Sequence, residues 1–106
     1  MGMSMIRRLE PEQVRDALAT LPQWVLDEQR GAIRRDFVFA DFGEAFAFMT
    51  RIALAAERAD HHPEWFNVYN RVEMTLSTHD CNGLSQRDID MAQLADRSFA
   101  AMQGVR

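Results

Sequence analysis

The chain holds one cysteine, Cys81, in 106 residues, so it can form no intrachain disulfide and no cysteine-rich zinc site. That scarcity favours a reducing compartment. Apolar runs are too short to span a bilayer. The opening MGMSMIRRLE has no hydrophobic signal region, and Ile6 stands where a myristoylation signal needs Ser or Thr. These absences make a cytoplasmic location the expectation. There is no lysine-arginine tract, and the net charge is −4, which argues against direct nucleic-acid binding because counterion release needs a concentrated basic patch. A glycine-rich phosphate loop is also missing, which removes the support for a kinase or dehydrogenase. With 47% hydrophobic residues and no repeat, linker or low-complexity segment, residues 1–106 are expected to form a single domain around one core.

What is present reads as alternating helical and strand patterns. In EPEQVRDALATL, Pro11 suits a first helical turn, Val14, Ala17, Leu18 and Leu21 share a face, and Pro22 ends the helix. WVLDEQRGAIRRDFVF reads as a hairpin turning at Gln29-Arg30-Gly31, with Ile33, Arg35, Phe37 and Phe39 alternating against Arg34, Asp36 and Val38. Asp41 and Glu44 form a capping-box-like start to a long helix reaching about Ala59, with an expected apolar stripe of Phe42, Phe46, Met49, Ile52 or Ala53, and Ala56. Pro63 disfavours helix at His62 and so ends it. A second hairpin, EWFNVYNRVEMTLSTH, turns near Asn70, and its return strand buries Val72, Met74 and Leu76 while His79 alternates to the polar side. Asn82-Gly83 marks a turn. Ser85 and Asp88 start a last helix with the stripe Ile89, Ala92, Ala95, Phe99 and Met102. The order α-β-β-α-β-β-α is an α+β pattern, hairpins building an antiparallel sheet covered by helices, whose open edges favour a homo-oligomer.

Histidine is as scarce as it is clustered: His61, His62 and His79 are the only three, and each lies near a carboxylate. Histidine exchanges protons near neutrality, so proton transfer or metal binding is the chemistry to weigh. His61 lies four residues beyond Glu57, beside Asp60, at a helix C-terminus, and all three features favour the imidazolium. A metal site is disfavoured, since adjacent side chains converge poorly and His-His-Pro matches no usual ligand spacing. Cys81, two residues after His79, is a weak candidate nucleophile. Plain surface histidines satisfying helix-terminal carbonyls are the alternative.

The stretch ERADHHPEWFNVYNRVEMTLSTHDCNGLSQRDIDMA resembles the pterin-4a-carbinolamine dehydratase family, which carries an acid before His-His-Pro, then an aromatic and Tyr-Asn, then Thr-His at the end of the next strand. Glu57, Asp60, His61, His62, Pro63, Trp65, Tyr69, Asn70, Thr78 and His79 fit that pattern. The resemblance extends back through EAFAFMTRIALAAE and covers nearly all of the chain beyond its first ten residues. It implies a two-layer fold, a four-stranded antiparallel sheet with three helices on one face, assembling into dimers and often tetramers. The implied reaction removes water from 4a-hydroxytetrahydropterin, the product left when aromatic amino acid hydroxylases use their pterin, with no metal or cofactor. By the family pattern His61 and His79 look like the proton-transfer pair and His62 a substrate-binding residue. Pro63 and Thr78, His79, Asp80 and Cys81 line the pterin. Asp60 and Trp65 join the binding set, Asp88 lends support from the last helix, and Glu57 is placed to stabilise a cationic transition state. Asp80 stands where mammalian relatives usually have Glu. Those relatives also serve as a transcription-factor dimerisation cofactor, so a protein-interaction role is the competing function, and another pterin, such as a molybdopterin-related one, is a competing substrate.

Overall fold

A computed structural model describes residues 6–104. Helix α1 covers Pro11–Leu18, strand β1 Val25–Asp27, β2 Ala32–Val38, α2 Phe42–Ala59, β3 Glu64–Val68, β4 Arg71–Leu76 and α3 Gln86–Gly104, with a short 3-10 turn at His79–Cys81. The strands form one antiparallel sheet in the order β1-β2-β4-β3. The sequence-derived element order and fold class hold. Helix α1 is shorter than its pattern suggests, ending at Leu18, with Leu21 buried beyond it.

Period-two burial follows the alternation in β2 and β4. Ile33 and Phe37 of β2 and Val72, Met74 and Leu76 of β4 lie beneath the helices, while Arg34, Asp36 and Arg71 face outward. In α2 the expected stripe holds at Ile52 and Ala56, with Met49 packed against the core, but not at Phe42 and Phe46. Ala45, Phe48, Ile52 and Ala56 are buried, whereas Phe46 is 56% exposed and Phe42 also faces solvent, leaning against Phe46 with ring centroids 5.8 Å apart. Phe42 and Phe46 are spaced as a helical pair, but Phe48, about 200° round the helix from Phe46, lies on the opposite side and is the ring that meets Phe37 and Phe39. In the final helix the expected stripe is the core-facing one: Ile89, Ala92 and Ala95 are buried, and Phe99 and Met102 pack against the core.

Arg35 sits on the inner face of β2, and the structure shows how that charge is accommodated. Its Nη1 donates to Asp96 Oδ1 of α3 at 2.6 Å, the same oxygen accepts Trp24 Nε1–H at 2.8 Å, and the guanidinium lies 4.4 Å from the Phe37 ring centroid. Removing one member of a largely desolvated pair leaves the other charge unmet. Asp96→Ala is therefore expected to destabilise the fold by about 2–4 kcal/mol, below the fully buried range because both groups keep some solvent contact. Urea unfolding monitored by Trp24 and Trp65 fluorescence measures it.

Candidate active site

The three histidines enter from two places at one end of the sheet. Helix α2 stops because Asp60 takes the left-handed conformation, φ 53°, and the His61 amide then donates back to Ala56 O at 3.0 Å. This is the reversal usually given to glycine at a helix end. It turns His61 inward, where it is 8% exposed, and leaves His62 in solvent. Pro63 follows and leads directly into β3.

His79 comes from the connection after β4. It does not continue the strand, as simple alternation suggests, because β4 ends at Leu76 and His79 begins the 3-10 turn. That turn is clamped at its base. The Thr78 amide donates to Gly83 O at 2.8 Å, the Gly83 amide returns to Thr78 O at 3.3 Å, and Asn82 reverses the chain with φ 57°. A Cβ at Gly83 would lie 2.6 Å from Arg8 Cδ, so a larger residue there would have to push the arginine side chain aside. His79 and Asp80 are left exposed on the clamped loop.

Asp88 joins the two places. Its side chain is fully buried in the first turn of α3. One oxygen, Oδ1, lies 2.7 Å from His61 Nε2. The other, Oδ2, accepts the Thr78 hydroxyl at 2.7 Å and the Ser85 amide at 3.0 Å. The second of these is one arm of the capping box anticipated for Ser85 and Asp88. Because a carboxylate only accepts, His61 carries its proton on Nε2 toward Asp88. His61 Nδ1 then has no partner among the described residues and is not sealed from solvent, since the only buried unpartnered side-chain polar atom among them is Gln103 Nε2. Nδ1 is thus the atom His61 can offer to a bound molecule.

One expected pairing is corrected. Glu57 does not meet His61; its Oε1 lies 3.0 Å from His62 Nε2, an exposed contact of the kind that contributes at most about 1 kcal/mol. The left-handed turn at Asp60 is the reason, since it carries His61 off the helix surface on which an i, i+4 pair would form. Asp60 itself is exposed, Pro63 half-buried, and Trp65 half-buried against the core on the inner side of β3.

Cys81 is held by its loop. Its Sγ lies 3.7 Å from Thr78 O and 3.6 Å from Gly83 O, and burial, followed by the nearby Asp88 charge, pushes the thiol above its ordinary pKa. A raised thiol is a poor nucleophile at neutral pH. No cluster of three His, Cys, Asp or Glu side chains suited to a metal ion occurs among the described residues. A groove of about 850 Å³ lies between α1, the β1–β2 turn and Asn82 to Leu84, but no histidine lines it. The histidines lie instead at the end of α2 and on the 78–81 loop. Sequence reasoning treated Ser85 only as a helix cap. The structure adds its hydroxyl, 2.6 Å from that of Thr78.

The profile of the family described as Pterin 4 alpha carbinolamine dehydratase matches residues 7–98. The chain belongs to the pterin-4a-carbinolamine dehydratase family. The match starts inside the first ten residues, earlier than the motif comparison placed it. Similar proteins in this dehydratase family include one from Burkholderia vietnamiensis, 56% identical over 96 residues, covering 91% of this chain and 94% of that one. Another, from Burkholderia lata, is 54% identical over 99 residues, covering 93% and 97%. Both are provisionally named pterin-4-alpha-carbinolamine dehydratase. A crystal structure from Brucella melitensis, described as a transcriptional coactivator/pterin dehydratase, superposes with a TM-score of 0.84 at 48% identity, covering 87% of this chain and 98% of that one.

Proposed function

We propose that the protein is a dehydratase that removes water from 4a-hydroxytetrahydropterin, releasing the quinonoid dihydropterin. The observation carrying this reading is Asp88, whose buried carboxylate holds His61 through Nε2 and anchors Thr78, the residue before His79, so that one group fixes both histidine-bearing segments. In the reaction a proton is delivered to the 4a-hydroxyl and the C4a–O bond breaks. The N5 lone pair forms the C4a=N5 bond, water leaves, and the resulting iminium loses its N5 proton. Both proton steps suit imidazoles, each such group contributing typically about a hundredfold to ten-thousandfold. His61 works through its outward Nδ1, and His79, on the clamped loop, acts as the second acid or base. His62, exposed and paired with Glu57, binds the pterin together with Pro63, Asp80 and Cys81, and the Glu57 and Asp60 carboxylates favour the developing cation.

The test generates the carbinolamine enzymatically with a pterin-dependent hydroxylase and follows its dehydration with and without the protein. Acceleration that survives exhaustive dialysis against a strong chelator is expected. A loss restored specifically by zinc would refute acid-base catalysis by the histidines, and no acceleration would refute the dehydratase reading. A set of related pterin carbinolamines in the same assay tests the alternative substrates.

A second role is supported by exposed apolar side chains, Phe42, Phe46 and Leu54 on α2 and Phe66 and Val68 on edge strand β3, and by the coactivator description of the Brucella protein. We propose that these surfaces are covered in a homo-oligomer and can also receive a partner protein, with the chain acting in the cytoplasm. Among the described residues no helix is long and apolar enough to cross a membrane. Light scattering at micromolar concentration should give a dimer or tetramer, and a fully active monomer would contradict this.

A further inference from the structure

Beyond the groups that touch substrate in the proposed reaction, the hydroxyls near Asp88 form a chain whose direction is fixed by proton count. Asp88 Oδ2 can only accept, so the single Thr78 hydroxyl proton points to it, across 2.7 Å. Thr78 Oγ1 has then no proton left for Ser85, and the 2.6 Å contact between the two oxygens is made by the Ser85 proton. Ser85 Oγ accepts in turn from the Arg87 amide at 3.2 Å, the second residue of α3. The order is Arg87 N–H to Ser85 O–H to Thr78 O–H to Asp88 carboxylate, with His61 Nε2–H entering on the opposite oxygen at 2.7 Å. Ser85 is 1% exposed and Thr78 3%, so water does not compete for these protons. Hydrogen bonds in such a chain polarise one another.

We infer that Ser85 is a positioning residue for the reaction: its hydroxyl, donated to Thr78 Oγ1, strengthens the Thr78 bond to Asp88 and so steadies both the carboxylate that holds His61 Nε2–H and the loop that carries His79. This rests on the dehydratase reading. Without Ser85 Oγ–H, Thr78 Oγ1 loses the donor that polarises its own O–H toward Asp88, and the bond that anchors the loop to the carboxylate weakens.

The competing account is that Ser85 merely caps α3. Glycine and alanine separate the two, because glycine is nearly as good an N-cap as serine while alanine is poor, and neither has a hydroxyl. Ser85→Gly, Ser85→Ala and Ser85→Thr are compared with the unaltered protein in carbinolamine dehydration, urea unfolding and NMR of the His61 Nε2–H proton. The glycine and alanine variants should both lose about tenfold in kcat, the rate equivalent of one hydrogen bond, with little change in KM. Both should move the Nε2–H resonance, and threonine should restore both readouts. If kcat follows unfolding stability, glycine close to serine and alanine below it, or if the resonance stays in place in Ser85→Gly, Ser85 is a cap and the inference is wrong. The NMR readout needs no turnover. An unaltered protein with no dehydratase activity therefore overturns the reaction, while the resonance still decides whether Ser85 orders the chain.

Discussion

A chain carrying both His61→Ala and His79→Ala should fold and dehydrate the carbinolamine at close to the uncatalysed rate, while each single substitution keeps a measurable part of the activity. The two imidazoles come from different segments, one buried on Asp88 and one exposed on the 3-10 turn, so each can serve one proton step when the other is missing. Each single loss should be smaller than the roughly ten-thousandfold upper range of acid-base catalysis. The singles should also differ in stability. His61→Ala removes a donor from buried Asp88 and should lower the urea midpoint, whereas His79→Ala touches an exposed ring and should not. His62→Ala should mainly raise KM, since a group that binds ground and transition states alike does not alter kcat. Steady-state kinetics on the four variants, beside circular dichroism, decide the matter. A folded double variant with unaltered turnover would rule out histidine proton transfer.

The largest loss of stability is expected at Asp88. Its carboxylate meets His61 Nε2, the Thr78 hydroxyl and the Ser85 amide in a site closed to water. Asp88→Ala strands all three donors and is expected to destabilise the protein by about 3–5 kcal/mol, the range for breaking a buried pair from one side. That is a large fraction of the roughly 5–15 kcal/mol that holds a domain together. Asp88→Asn keeps the shape but turns an N–H pair toward one set of donors, so it should destabilise less and still impair turnover, because His61 and the 78–81 loop both lose their common anchor. Urea titration of both variants, with activity measured well below the midpoint, separates the two effects. Asp88→Ala unfolding at the wild-type midpoint would show that the buried carboxylate is not a structural anchor.

The sequence made much of this legible, for reasons that differ by residue. Strand alternation from Ile33 to Phe39 and from Val72 to Leu76 is a two-sided pattern that admits one inward face, and the structure uses that face. The helix stop before Pro63 and the Ser85 and Asp88 cap are local chemistry written in adjacent residues. Asp88 was placed beside the histidines by family resemblance, since nothing local to QRDID says that its second oxygen reaches across the fold. The α2 stripe misled because Phe42, Phe46 and Phe48 are equally apolar, and only the sheet beneath the helix selects Phe48. Glu57 pairs with His62 because a single left-handed residue, Asp60, rotates the chain between them, and an aspartate in that conformation leaves no helical-period signal to read.

The Asp88 contacts also bear on when the site exists during folding. They join residues 27 and 10 positions apart, from the end of α2, the turn after β4 and the start of α3. The contacts to His61 and Thr78 cannot form until these segments have met, so the catalytic arrangement is among the later features to assemble. It is also lost only when the domain opens as a whole. Amide exchange at Ser85 and Thr78 should then proceed at the rate of global unfolding rather than by local fraying. In refolding from urea, dehydratase activity should return together with the final fluorescence phase, with no active partly folded species before it.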